Sequence, residues 1–209
     1  EKIRWYAYLN PAYFDDELAR LMKRAGCTGV NFGADHTDAS LLKTLGRVHS
    51  ADSLMQAADI CRRNGITCMF DLLLGAPGET PDTMRKAVEF MKRTKASCIG
   101  ASLGVRLYPE TPLAEDLMAT AKGAGLYPGA PDESLLQPVY YLSPRLGDNP
   151  HRLLLDFVQG DERFFVASPE REVNDYNYND NSLLSEMIRS GERGAFWDIL
   201  RRKNKQLSE

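Results

Sequence analysis

The chain has 209 residues, 43% hydrophobic and 26% charged, with a formal net charge of -3. That is enough apolar material for one sizeable core, and mild acidity with no basic run longer than Arg201-Arg202-Lys203 argues against a nucleic-acid surface. No stretch approaches the roughly 18 continuous apolar residues of a membrane span and no signal-peptide pattern opens the sequence, so a cytoplasmic protein without membrane partners is expected.

Residues 3–9, IRWYAYL, are aromatic and branched and predict a strand, which Asn10-Pro11 ends. A helix is expected from about Phe14 to Ala25, with Leu18, Leu21, Met22 and Ala25 on its buried face and Gly26 as its stop. Residues 27–33, CTGVNFG, form a second strand; a turn of helix follows near Leu41, Leu42 and Leu45. A longer helix spans about Ala51 to Asn64, burying Leu54, Ala57, Ala58 and Cys61, and Gly65 closes it.

The stretch 66–80, ITCMFDLLLGAPGET, passes from an apolar strand to a glycine-proline turn to a helix start. Thr80 predicts an N-cap with Pro81 at the first helical position, and Met84, Ala87, Val88 and Met91 share the buried face of that helix. Residues 98–107 predict a fourth strand. KRAG-CTGVNFG at 23–33 and RRNG-ITCMFDLLLG at 62–75 repeat the same helix end, glycine stop and strand 39 residues apart. Such alternation implies parallel strands joined by helical crossovers, as half of an eight-stranded barrel or a small open sheet.

Beyond Tyr108-Pro109 the pattern loosens: a helix over 113–124, a loop rich in proline and glycine over 125–138, a helix over 149–160 and a short strand over 163–167. A polar loop over 170–181, with Tyr176 and Tyr178, precedes two short helices over 183–189 and 195–203. The fold class is therefore α/β: a partial, TIM-like half barrel, or a small open sheet, over 1–139 and a small, mostly helical extension over 140–209 packing on it, with a linked small subdomain as the alternative for that extension.

The chemistry-bearing residue of the third strand is Asp71. A carboxylate in an apolar strand is costly to bury unless a neighbouring donor or a ligand meets it, and the turn after the strand lies at the carboxyl end of a parallel sheet, where α/β folds bind ligands. Other constellations are weaker. His36, His49 and His151 have no metal-ligand spacing with the cysteines. GAPGET lacks the Gly-Lys-Ser/Thr ending of a phosphate loop, and no G-x-S-x-G occurs. Cys27, Cys61, Cys68 and Cys98 are read as buried free thiols.

Three phrases in order, VNFGADHTDASLLKTLGRVHS, GITCMFDLLLGAPGETPDTM and VRLYPETPL, resemble the second half of the radical S-adenosylmethionine (SAM) domain, in the group of Fe–S oxidoreductases that often carries an upstream cobalamin-binding domain. GAPGET stands where that family usually reads GLPGET, and YPETPL where it reads YPGTPL; GERGAFWDILRR at 191–202 is also similar to the tail of such enzymes. The likeness covers about residues 3–125. It implies strands three to six of a partial (β/α)₆ barrel and the cofactors SAM and a 4Fe–4S cluster, with cobalamin as a further candidate.

Carried over by position, Asp71 matches a carboxylate that bonds the SAM ribose; Gly75, Pro77 and Gly78 a turn along the adenine; and Gly33 and Asp35 the methionine or ribose end. Arg106 is either an interior partner for an acid or a substrate clamp. Asp35 stands where the family usually has Glu, and Arg47 near a usual Lys. The family's CxxxCxxC loop is absent, since no two cysteines are closer than seven residues. The resemblance thus implies a fragment of an oxidoreductase or methyltransferase, inactive alone, whose partners are a small-molecule substrate and the missing first half of its own domain, and whose open strand edge pairs two copies. The alternative reading is a non-catalytic α/β module binding a nucleoside-like ligand at the carboxyl edge of its sheet.

Overall fold

A computed structural model describes residues 3–120, 124–128, 139–166 and 181–208; residues 129–138 and 170–180 of the expected loops, with Tyr176 and Tyr178, residues 121–123 of the expected helix over 113–124 and the last residue of the strand expected over 163–167 lie outside the described residues. In chain order the elements are β1 (Trp5–Leu9), α1 (Asp16–Arg24), β2 (Cys27–Asp35), α2 (Ala39–Thr44), α3 (Ala51–Arg63), β3 (Thr67–Leu74), α4 (Pro81–Arg93), β4 (Cys98–Leu103) and β5 (Val105–Leu107). They continue as α5 (Pro112–Thr120), β6 (Leu126–Pro128), β7 (Val139–Tyr141), α6 (Pro150–Val158), β8 (Phe164–Val166), α7 (Ser182–Arg189) and α8 (Phe196–Ser208).

The helix boundaries follow from capping chemistry. Asp15 accepts from Leu18 N at 2.8 Å to start α1, while Ser50 with Ser53 and Thr80 with Thr83 form reciprocal boxes at the starts of α3 and α4, the latter with Pro81 at its first position. Gly26, past the end of α1, has φ +97°, a conformation that costs a residue with a Cβ. One helix face differs from the sequence expectation. In α1 the core takes Ala19 and Met22, and Leu18 and Leu21 stay 36% and 47% exposed, because the sheet is met by the stripe one residue further round.

Strands β1, β2, β3, β4 and β8 form one sheet in that order, with every neighbouring pair parallel. Among the described residues the sheet does not close on itself. Alternate residues divide between its faces. Val30, Phe32, Phe70, Leu72, Leu74, Ile99, Ala101, Phe164 and Val166 join the core formed with α1, α3, α4 and α6. Met69, Cys98 and Phe165 point the other way, onto Leu184 of α7 and Trp197, Ile199 and Leu200 of α8. Tyr6 packs edge-on against Trp197 at 5.8 Å and donates to the Asp198 carboxylate at 2.7 Å, so α8 covers the amino-end rows of this inner face.

The expected fourth strand divides in two. Gly104, at φ +91°, turns the chain between β4 and β5, and β5 joins β7 and β6 in a separate three-stranded antiparallel sheet. That small sheet shares a core with Leu41, Ala76, Ala114 and Leu117 at the carboxyl end of the main sheet. The segment expected as a packed extension contributes β8 to the main sheet, since Phe164, Phe165 and Val166 are apolar and buried on both faces.

Candidate nucleoside site at the carboxyl edge

The site is built from the last residues of β2, the row around Asp71 in β3, and the turn that follows. Asp71 is in register with Gly33 of β2 and Gly100 of β4, so the carboxylate stands between two residues without side chains. A Cβ built on Gly33 would meet nothing within 4 Å. The row below holds Asn31, buried to 1% exposure, whose Nδ2 donates to Asp71 Oδ2 at 2.6 Å. Beside it Tyr8, in register with Asn31, is 73% exposed. The result is a partly buried carboxylate beside the open space over Gly33, with the exposed Tyr8 two strands away.

The end of β2 is irregular. The register to β3 shifts between Gly33 and Asp35, and Asp35 adopts φ +50°, a region that residues other than glycine seldom occupy. The Asp35 carboxylate forms an ion pair with Arg47, and His49 Nε2 donates to the carbonyl of Ala34 at 2.8 Å. The linker between α2 and α3 thus fastens the end of β2.

The GAPGET turn is held from inside by its own glutamate. Glu79 is fully buried; its Oε2 accepts from Gly75 N and, at 3.2 Å, from Ala76 N, and its Oε1 lies 3.1 Å from His36 Nε2. His36 Nδ1 accepts from Asp38 N at 2.9 Å, which leaves the proton on Nε2 and makes the imidazole the donor to Glu79. Ser143 adds a second clamp, donating through N to Gly75 O and through Oγ to Glu79 O, each at 2.8 Å. Gly75 cannot be replaced without displacement: it has φ +97°, and a Cβ there would lie 2.4 Å from Leu142 Cδ1. Gly78, exposed, and Pro77, half-buried, form the outer part of the turn.

Of the residues singled out from sequence, Gly33, Asp71, Gly75, Pro77, Gly78 and Asp35 therefore gather at one sheet edge. Arg106 sits elsewhere than expected. It lies in β5 on the small sheet, exposed, with its guanidinium 5.2 Å from the Tyr108 ring centroid. Asn31, Glu79, His36 and Ser143 were not anticipated as site residues. Only Glu79 carried a local signal, as an acid one residue before an N-cap.

The donor set does not suit a metal cluster. All four cysteines are buried and free, and no group of three or more His, Cys, Asp or Glu that could hold a metal exists among the described residues. A hydrogen bond with Cys68, and then burial, push the Cys61 thiol up, while the same hydrogen bond holds Cys68 down. The Asp71 carboxylate and the open space over Gly33 have, in contrast, the chemistry to suit a hydroxyl-bearing ring such as the ribose of SAM. No helix among the described residues is long and apolar enough to cross a membrane.

Comparison with known proteins bears on the family and the fold. Residues 1–91 match the radical SAM superfamily. The chain is 31% identical to tryptophan 2-C-methyltransferase of Streptomyces laurentii, over 93% of this chain and 41% of that one. A 100-residue stretch is 30% identical to the ribosomal protein uS12 methylthiotransferase RimO of Phocaeicola vulgatus, over 46% of this chain and 23% of that protein. The radical SAM methyltransferase TsrM of Kitasatospora setae, solved with tryptophan and a SAM analogue, superposes with TM-score 0.85 at 29% identity, over 99% of this chain and 46% of that one. The chain thus spans less than half the length of these relatives. By its matched sequence, its parallel sheet and the turn that ends β3, the chain belongs to the radical SAM superfamily.

Proposed function

We propose that this chain is the later part of the catalytic domain of a SAM-dependent radical methyltransferase, and that the edge formed by Gly33, Asp35, Asp71 and the Gly75-Ala76-Pro77-Gly78 turn binds the nucleoside end of SAM. The observation that carries the reading is Asp71 held between Gly33 and Gly100, with its carboxylate anchored by Asn31. A fixed acid at a strand end is suited to accept from vicinal hydroxyls, as in dinucleotide sites. Bound there, SAM would supply the methyl group or the hydrogen-abstracting equivalent, while the protein orients it and limits water. The thiolates that would hold the SAM-reducing cluster would come from outside this sequence, so the chain alone is inactive. TsrM has also been solved with cobalamin and a 4Fe–4S cluster at 26% identity, which supports cobalamin as a further cofactor of the complete protein.

Likeness to enzymes acting on tryptophan supports a small aromatic amino acid as the substrate class, with exposed Tyr8 on its wall. Four free thiols suit a reducing, cytoplasmic compartment. The edge of β1, unpaired among the described residues, is the natural docking line for the preceding strands of the complete domain, and in the isolated chain for a second copy. The division we propose is a sheet domain that includes β8, carrying α7 and α8 against its inner face. Calorimetric titration with S-adenosylhomocysteine tests the site: weak binding that Asp71→Ala abolishes supports it, and no heat at millimolar ligand counts against it.

A further inference from the structure

The small sheet has two unlike faces. Directly opposed residues of antiparallel strands share a face, and its middle row runs through Arg106 of β5, Tyr140 of β7 and Tyr127 of β6. Val105, Leu107 and Tyr141, in the rows on either side, point the other way into the core beneath the sheet. The middle row is turned from that core: Arg106 is exposed, Tyr127 is 53% exposed and Tyr140 is half-buried. A merely solvated face has no need of two phenols beside a cation, and tyrosine and arginine are enriched at binding surfaces. Arg106 also has no acid. Its guanidinium lies 5.2 Å from the Tyr108 ring centroid and forms neither hydrogen bond nor ion pair among the described residues. An aromatic face holds a cation without supplying an acceptor, so the N–H donors stay uncommitted. The row adjoins the edge described above: a Cβ built on Gly104 would lie 3.9 Å from Tyr140 Cδ1, and Gly104 N donates to Leu74 O, at the end of β3, at 2.8 Å.

The geometry points to this row as the binding site of a free aromatic amino acid, with Arg106 taking the carboxylate and the rings of Tyr140 and Tyr127 lying against the ligand's ring. A guanidinium grips a carboxylate through two parallel N–H donors, and phenol rings accept a second ring stacked or edge-on. Neighbours in the row stand about 5 Å apart, comparable with the distance from ring to carboxylate in such an amino acid. A nucleic-acid strand would need more cations than the one this row holds. By strand order Asp71 stands between Tyr8 and β4, the strand that leads into β5, so the row and Tyr8 flank the nucleoside site from opposite sides. The inference rests on the substrate class proposed above and supplies the residues that would select it.

The test is an NMR titration of the chain with L-tryptophan and with L-tryptophanamide, which keeps the ring and the amine and lacks the carboxylate. Wild type, Arg106→Gln, Arg106→Lys and Tyr140→Leu are compared, each checked for its urea midpoint and for its affinity for S-adenosylhomocysteine. Wild type is expected to bind L-tryptophan about tenfold more tightly than the amide, with the Arg106 Nε–H and the ring signals of Tyr127 and Tyr140 shifted. Arg106→Gln should lose that preference and bind the acid as weakly as the amide, while Arg106→Lys, which keeps the charge without the fork, should recover part of it. Tyr140→Leu should weaken both ligands about fivefold and leave the preference intact. Damage to the fold would weaken both ligands together and move the urea midpoint, so the changed ratio in Arg106→Gln isolates the carboxylate contact. If wild type binds L-tryptophan and Arg106→Gln keeps the preference, or the shifted signals lie off the row, the row is wrong and the substrate class stands. No binding of L-tryptophan at tens of millimolar, with S-adenosylhomocysteine still bound, would remove the row and the substrate class and leave the nucleoside site.

Discussion

His36 Nε2 lies 3.1 Å from Glu79 Oε1 with neither side chain exposed to solvent. This contact joins the irregular end of β2 to the turn after β3, so the two halves of the candidate nucleoside site share one buried carboxylate. Glu79→Ala would leave Gly75 N, Ala76 N and the imidazole N–H without their acceptor, and the expected loss of stability is about 3–5 kcal/mol. Glu79→Gln retains one acceptor and should cost less than half of that. Urea denaturation of both variants measures the difference; equal midpoints would mean that the turn stands without its glutamate.

Two glycines of the site separate folding from binding. Gly75→Ala brings a methyl group to 2.4 Å from Leu142 Cδ1 at a backbone φ of +97°, and should destabilise the chain by about 2–4 kcal/mol. Gly33→Ala meets nothing within 4 Å, so its stability should stay within about 0.5 kcal/mol of wild type. Its affinity for S-adenosylhomocysteine should nevertheless drop about tenfold if a ring passes over the strand there. Unchanged affinity in Gly33→Ala would move the ligand away from that row.

Tyr6 reports on the fastening of α8. Burial, then the hydrogen bond to Asp198, pushes its hydroxyl up from 10.0 to about 12. A group raised in the folded state contributes stability fully below its unfolded value; that contribution disappears as pH rises from 10 through about 12. Wild type should accordingly lose its stability advantage over Tyr6→Phe between about pH 9 and about pH 12, while at neutral pH the variant is weaker by about 1 kcal/mol. Parallel pH curves for the two proteins would show that folding does not shift the ionisation of the phenol.

The edge of β1 should make the isolated chain self-associate. Sedimentation at high concentration is expected to give a dimeric mass, and Tyr8→Lys, which puts a charge on that strand, should return it to the monomer. A monomeric wild type would show that the edge is protected without a partner.

Most of the element pattern was readable locally. Thr80 with Pro81, Gly26 and Gly65, and the apolar runs of β2 and β3 each encode a cap, a stop or a strand within a few residues. What stayed hidden depends on register. Asn31 and Asp71 are forty residues apart, and nothing in either strand says that they meet. The exposure of Leu18 and Leu21 depends on the rotation of α1 against the sheet, to which a helical repeat is blind. Likewise 98–107 read as one strand because only the positive φ of Gly104 divides it, and a lone glycine does not announce that angle. Arg106 moved to the small sheet with that division, and Phe164–Val166 was too short to declare its place beside β4.

The bond from Tyr6 to Asp198 spans 192 positions of sequence, and this separation has a consequence during synthesis. Contacts so distant in the chain form late, because the entropy of closing the intervening loop must be overcome first. A ribosome delivers β1 almost two hundred residues before α8. Throughout that interval Tyr6, Met69 and Cys98 present an uncovered apolar surface, the kind of transient face to which chaperones bind. Until α8 emerges, the nascent sheet has one finished side and one sticky one.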